Sequence, residues 1–450
     1  MKLTVFQSGK GDCLLLTGAD GRRMLVDGGV SDAYSKHVAP ALGELRAQGE
    51  QLDVVYLSHI DDDHIGGILK LMDDEVKWRI HEFQLQHDNP KHKQPAAPRP
   101  PVVKAIWHNA FHELVKDNKG EIENMLAASA AVLSGSEHEA VKELVSAQTD
   151  LVNSIAQSIK LTRRVSPEQL GIKLNAPAKG KLMLVRPAST AAIKLGGMSL
   201  RIIGPFSADL TVLRKEWNIW LARNKKQLKA IDAKAAKDEA SFGTKEIDDI
   251  ILPKLAQADA LSDLLPLTEL ATAVFKLGER KKVTTPNLAS LMFAVEEKGK
   301  TLLLTGDGHH EDIIKGLKHI KKLKGTKGLH VDVLKVQHHG SEFNLSEAFC
   351  RTITADNYLF CGDGEHKNPD LRVLQAIIDS RLGKPEQRSH NPETGKSFKF
   401  WLNCHSSVSP NAAAKTQMKA VEKFITQAAA RSKGKMTSFF LKGSSFELEI

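Results

Sequence analysis

Ser58-His59-Ile60-Asp61-Asp62-Asp63-His64-Ile65-Gly66-Gly67 is the stretch whose reading decides the fold. It follows the apolar run LDVVYL, residues 52–57, and leads into IGGILKLM, residues 65–72, so the order is strand, polar loop, helix. In open α/β sheets that order places polar side chains at the carboxyl end of a strand, where ligands bind. His59, Asp61, Asp63 and His64 offer the imidazole and carboxylate groups that suit borderline and hard divalent metals. With the loop extended at first, His59 and Asp61 project to one side. Asp63 and His64, entering the helix, turn toward a second position nearby, so one loop serves two ions. Gly66 and Gly67 let the helix N-terminus come close to the site and leave room for substrate. The rival reading is an acidic helix start with incidental histidines, and so dense a cluster behind an apolar strand argues against it.

Outward from the cluster, LTVFQSG, CLLLTG and RRMLVDGG read as a meander of short antiparallel strands, punctuated by Gly-Lys-Gly-Asp and Ala-Asp-Gly-Arg turns. A helix follows over AYSKHVAPALGELRAQ. Pro90 to Pro101 reads as a surface loop, and VVKAIWHNAF as a strand running out into His108 and Asn109. Residues 112–164 and 210–275 carry helical periodicity, and KLMLV and MSLRIIGP between them read as strands returning to the sheet. NLASLMFAVEE, TLLLTGD, DVLKVQHHGS and NYLFCGDGEH continue the strands, with helices through Ile314 and from Pro369. MTSFFLKG and SFELEI read as a closing hairpin. Strands followed by helices on both flanks of helical blocks predict an α/β fold of αββα type: two mixed sheets face to face, flanked by helices. Residues 1–450 then form a single catalytic domain, with 112–164 and 210–275 as helical insertions.

The run SHIDDDHIGG resembles the His-x-(His/Asp)-x-Asp-His signature of metallo-β-lactamase-fold hydrolases. Aspartate at its third position resembles the subgroup related to the cytoplasmic domain of the competence protein ComEC. SGKGDCLLL followed by MLVDGG, then LLLTGD and DVLKVQHHGS, match that subgroup in order. The resemblance implies that His59 and Asp61 hold one metal, Asp63 and His64 the other, and that Asp307 is the bridging carboxylate. A carboxylate at a strand's carboxyl end can indeed coordinate two ions about 3.5 to 4 Å apart. Of His338 and His339, one reaches the second metal and the other approaches substrate, with His338 the preferred ligand; a strand alternates faces, so both cannot point the same way unless the strand ends between them. His366, in a segment matching the subgroup imperfectly, binds a phosphate, donates a proton, or is an exposed loop histidine. Many members carry a further histidine before the bridging aspartate; His108 is the candidate here, and Asn109 the alternative polar contact. His309 and His310 read as surface residues at a helix start. The implied cofactors are two divalent ions, Zn²⁺ or Mn²⁺.

With 450 residues, 41% hydrophobic and 26% charged, the chain can bury a full core. No apolar stretch approaches the roughly 18 to 20 residues that span a bilayer, and no secretory signal pattern opens the chain, so a cytoplasmic protein without membrane contact is expected. Cys13, Cys350, Cys361 and Cys404 are scattered and read as reduced, buried thiols. The net charge of +9, concentrated in Arg214 to Lys237 and Lys315 to Lys327, favours a polyanionic partner. Trp217 and Trp220 read as core residues. Metal-assisted hydrolysis is therefore expected, with Asp63, His339 and His366 nearest the chemistry and a phosphodiester or nucleic acid as substrate. A small-molecule esterase or lactonase is the second reading, and a non-catalytic binding module on the same fold the third.

Overall fold

The computed structural model describes residues 1–87, 92–109, 157–158, 160–162, 164–167, 169–213, 215, 277–280 and 283–450. Most of the two expected insertions, together with Trp217, Trp220 and nearly all of the Arg214 to Lys237 stretch, lies outside the described residues. The described parts of the insertions, residues 157–158, 160–162, 164, 210–213 and 215, are helical.

Strands are numbered along the chain: β1 (Lys2–Phe6), β2 (Leu14–Thr17), β3 (Arg23–Val26), β4 (Gln51–Leu52), β5 (Val54–Tyr56), β6 (Val102–Val103), β7 (Ala105–Trp107), β8 (Lys173–Leu174) and β9 (Ile193–Leu195). The second half contributes β10 (Met198–Gly204), β11 (Met292–Glu297), β12 (Lys300–Leu304), β13 (Leu329–Lys335), β14 (Ile353–Phe360), β15 (Phe398–Leu402), β16 (Met436–Phe440) and β17 (Ser445–Glu449). Among the described residues they form one sheet in the order β17-β1-β2-β3-β5-β7-β8 and a second in the order β16-β15-β14-β13-β12-β11-β10-β9, with β4 and β6 paired apart. Both sheets are mixed. β1, β2 and β3 pair antiparallel, as the meander predicts, whereas β3, β5, β7 and β8 run parallel, as do β12 through β16.

Period-two alternation explains how the layers stack. In β2 and β3, Leu14, Leu16, Met24 and Val26 face the layer between the sheets, while Leu15 and Leu25 face a helix-covered outer layer. In β12, Leu302 and Leu304 enter the inter-sheet layer and Leu303 the opposite outer layer. Helices α1 (Ala39–Ala47) and α2 (Asp62–Gln86) cover the first sheet. The second sheet is covered by α3 (His310–His319), α4 (Glu347–Thr352), α5 (Leu371–Leu382) and α6 (Ala412–Arg431). The result is the expected αββα sandwich.

Four local expectations change. Residues 181–185 form no strand; Asn109 takes both backbone groups of Met183 instead, through Nδ2 to the carbonyl at 2.7 Å and from the amide at 2.8 Å. Asn287 begins no strand either, because Pro286 sits in the first turn of a short helix, Thr285–Leu288, and β11 starts only at Met292. The last two strands make no hairpin: β16 lies parallel to β15 in one sheet and β17 antiparallel to β1 in the other. Gly66 and Gly67 leave no room for substrate. Both are buried, and a Cβ at Gly67 would stand 2.0 Å from the Gly28 carbonyl oxygen, so these glycines let α2 press against the Asp27-Gly28-Gly29 turn.

Candidate metal centre

The loops after β5, β12, β13 and β14 leave the carboxyl ends of parallel strands and meet where the two sheets face one another. Asp61 caps α2 in extended conformation, and the helix begins at Asp62, so Asp62 and Asp63 stand in its first turn, where acidic groups suit the helix dipole. Asp62 is exposed and accepts a hydrogen bond from Gln157, whereas Asp63 faces the histidines.

Asp307 lies beyond the end of β12, after Gly306 at φ +47°. A Cβ at Gly306 would come 2.8 Å from that of Ser58, so glycine there brings the Asp307 turn against the His59 loop. His338 and His339 likewise lie past the end of β13. Both adopt left-handed backbone, φ +47° and +55°, in the short turn Gln337–Gly340. Strand alternation therefore does not separate them, and both rings turn toward Asp307. Left-handed backbone at two successive non-glycine residues is a strain that a functional site commonly holds.

Four imidazoles converge on one carboxylate oxygen. Asp307 Oδ2 stands 3.2 Å from His339 Nε2, 3.3 Å from His64 Nε2, and 3.8 Å from both His59 Nε2 and His338 Nε2. Asp61 Oδ2 lies 3.5 Å from His59 Nε2, and Asp63 Oδ2 lies 3.1 Å from His339 Nε2 and 3.9 Å from His64 Nε2. Tetrahedral coordination with bonds of about 2.0 to 2.2 Å places donor atoms roughly 3.3 to 3.6 Å apart, and the 3.1 to 3.9 Å separations here bracket that spacing.

Each ring is held from behind. His64 Nδ1 meets Asp27 Oδ2 at 2.9 Å, His59 Nδ1 meets Ser58 Oγ at 3.0 Å, His338 Nδ1 meets Asn344 Oδ1 at 2.6 Å, and His339 Nδ1 meets the Cys361 carbonyl at 2.6 Å. Such outer partners fix the tautomer and aim the remaining nitrogen at a metal. Nε2 of His59, His64 and His339, and Oδ1 of Asp307, are buried without a hydrogen bond in the protein. Buried polar atoms left in this state are costly unless something else satisfies them, and a cation is the group these donors fit.

His59, His64 and Asp307 form one grouping able to hold a metal, and Asp12, His64 and His339 another. The second is better read as a supporting layer, since the Nδ1 atoms of both histidines are already bonded and Asp12 pairs with the Lys335 ammonium. Electrostatics follow the same geometry. Burial alone would lower the His64 imidazole, but Asp307, Asp27 and Asp63 outweigh it and hold it well above its ordinary value. His339 is raised in the same way, with Asp307 the main charge acting against burial. Burial would raise Asp63 and Asp307, and the histidines instead hold both carboxyls below the ordinary range.

The remaining candidates sit elsewhere. His108 is buried at the end of β7, its backbone amide and carbonyl both clasped by the Asn175 side chain, and it belongs to none of the metal-holding groups found among the described residues. Asn109 serves Met183. His366 is exposed at φ +52° on the loop after β14, where Lys10, Glu365, Asp63 and His339 are the charges it feels, so it stands at the rim of the centre. His309 and His310 are buried rather than on the surface: His309 caps α3 and also meets the Gly278 carbonyl, and burial, His309 and Arg280 push His310 down to about 3. All four cysteines are buried and free. Sequence reading passed over Asp12, Asp27, Lys335 and Asn344. The available signal was a charged residue inside an apolar frame, as in DCLLL, MLVDGG and DVLKV.

No helix among the described residues is long and apolar enough to cross a membrane. A search among curated proteins finds no match. Among solved structures, Zn²⁺-bound PqqB from Methylobacterium extorquens aligns over 100% of both chains at 11% identity with a TM-score of 0.30, too distant to carry an inference. Residues 8–128, which include β2, β3, the His/Asp cluster and α2, match the family described as Metallo-beta-lactamase superfamily. Residues 8–128 therefore resemble the metallo-β-lactamase superfamily, and the αββα sandwich of this chain is the metallo-β-lactamase fold.

Proposed function

We propose that this chain is a two-metal hydrolase acting on phosphodiesters, with nucleic acid as the favoured substrate class. The observation that carries the metal reading is the convergence of four Nε2 atoms on Asp307 Oδ2, three of them buried without a protein partner. His59 and Asp61 would hold one ion, Asp63 and His64 the other, and Asp307 would serve both. The distances move the preference for the second ion's histidine from His338 to His339, whose Nε2 lies within 3.2 Å of both Asp63 and Asp307. His338, partly exposed and 3.8 Å from the same Asp307 oxygen, is left on the substrate side. Two divalent ions there, Zn²⁺ or Mn²⁺, would supply Lewis acidity and lower the pKa of water enough for attack near neutral pH.

The chain's own groups do the rest. Asp63, held anionic, would ligate and orient the water, while Lys10 at the rim would meet a negatively charged substrate and His366, an imidazole that burial and Lys10 push down, would hydrogen-bond it. The choice of phosphorus over carbonyl rests on this rim, on the carboxylate-rich donor set and on the net charge of +9. Assay of a generic phosphodiester, single-stranded and duplex DNA, RNA, a carboxylic ester and a lactone, each with Zn²⁺ and Mn²⁺, tests it. Turnover confined to the ester or lactone overturns the substrate class. No stoichiometric metal after purification without chelator overturns the enzyme reading.

A further inference from the structure

Lys335 is one of the largest fully buried side chains described, and it lies at the last position of β13. Val333 packs in the inter-sheet layer, and Leu334 and Val336 pack in the outer one, so alternation turns Lys335 inward with Val333. Its ammonium donates to Asp12 Oδ2, from the loop after β1, and to the Gly306 carbonyl at 3.1 Å, and it lies 3.7 Å from Asp307 Oδ1. One cation thus joins a loop of the first sheet to the Asp307 turn of the second. Burying a lysine is expensive unless it is paired and hydrogen-bonded, and this one is both.

The consequence lies in which oxygens remain. Asp307 turns Oδ1 to Lys335 and Oδ2 to the four imidazoles. Asp12, held through Oδ2 by Lys335, brings Oδ1 to 3.4 Å from His339 Nδ1, behind the ring whose Nε2 faces Asp63 and Asp307. We propose that Lys335 is a positioning residue: it fixes Asp307 so that a single oxygen serves both ions, and through Asp12 it steadies His339 toward the second. This rests on the two-metal reading above. Without the ammonium, Asp307 is free to rotate and spread its two oxygens over two separate ions.

Mn²⁺ titration of the metal-free protein, read by stoichiometry and by electron paramagnetic resonance, tests this without turnover. The wild type takes up two ions whose spectrum is that of an exchange-coupled pair. Lys335→Met keeps the first ion near wild-type affinity, binds the second about 10- to 100-fold more weakly, and loses the coupling. Lys335→Arg, which keeps the cation, retains a coupled pair. Because a lone Asp12 left buried could unfold Lys335→Met, the double variant Asp12→Asn/Lys335→Met is measured beside it, with thermal melts of the metal-free forms, and the same split is expected. A structural role alone weakens both ions together. Two coupled ions at wild-type affinity in either folded Met variant overturn the role of Lys335 and leave the metal centre standing. Failure of the wild type to bind two ions overturns both.

Discussion

Asp27 and His64 form a buried pair at 2.9 Å, and the same histidine presents its other nitrogen to Asp307 at 3.3 Å. Asp27 also accepts the Ser58 amide and hydroxyl, each at 2.7 Å, so one carboxylate sets both the ring and the start of the His/Asp loop. Asp27→Ala removes three hydrogen bonds behind the site, one of them to the proposed ligand His64, without changing a ligand itself. Metal affinity should fall about 10- to 100-fold, the usual cost of losing an outer-layer partner. Chelator competition on the folded variant measures it, and unchanged affinity would mean His64 is oriented by its neighbours alone.

Metal uptake should depend on pH with a definite sign. The carboxylates raise His64 and His339 above the ordinary imidazole value despite burial, so the metal-free rings keep their protons at neutral pH. The stability those protonated pairs add is fully present below the unfolded value and is lost as pH rises through the raised one. Binding must expel those protons, and apparent affinity therefore climbs with pH. Between about pH 6 and pH 8 the competition titration should show tighter binding together with proton release in a weakly buffered solution. A flat profile would place the metal on other groups.

Much of this was legible because the informative signals are local. Apolar runs in LTVF, LLLT and TLLL mark the strands, and the density of candidate ligands in His59 to His64 marks the centre of the candidate site. What escaped depends on contacts between distant segments. Nothing local shows that SFELE pairs with β1 rather than with the neighbouring MTSFF, since either pairing buries an alternate face. His338 and His339 depart from alternation because the strand stops at Lys335 and the backbone turns left-handed, which no periodicity reports. Lys335 itself reads as a solvated lysine until Asp12 and Asp307 are seen around it.

Gly67 supplies a test of the close approach that sets the loop. Its missing Cβ leaves α2 in contact with the Gly28 carbonyl, and an added methyl would meet that oxygen at 2.0 Å. Gly67→Ala should cost about 3 kcal/mol, the upper end for overpacking. Gly443→Ala, where a Cβ meets nothing within 4 Å, should stay within about 0.5 kcal/mol of wild type. Denaturant titration of metal-free protein compares them, and equal stability of the two variants would remove the packing argument.

The exposed lysines after α3 are the described part of the proposed polyanion-binding surface. Lys321, Lys324 and Lys327 are exposed, whereas Lys322 is engaged with Glu296. If the three track a phosphate backbone, their replacement by Glu weakens binding of a DNA oligonucleotide. On duplex DNA it also lowers the salt slope by about 0.9 for each phosphate that is no longer neutralised. An unchanged slope assigns the positive charge of this segment to solubility. The stretch Arg214 to Lys237, nearly all of it outside the described residues, is probed in the same way by Lys225→Glu, Lys226→Glu and Lys229→Glu together.

Asp307 and Asp62 give the sharpest comparison, because both are aspartates of segments that build the centre and their surroundings are opposite. Asp307 is buried and faces four imidazoles through one oxygen, whereas Asp62 is exposed and bonds only to Gln157 among the partners described. Asp307→Ala removes the proposed shared ligand, so the ions separate or leave and the water loses the acidity that hydrolysis at neutral pH requires. Activity should fall by about three orders of magnitude or more, on the scale of losing a central electrostatic group, with the bound metal reduced in parallel. Asp62→Ala should retain activity within a few-fold and the full complement of metal. Metal content and turnover of the same preparation separate the outcomes. Equal loss in both variants would mean the His59 to His64 loop is read in the wrong register, and full activity in Asp307→Ala would remove the bridging role.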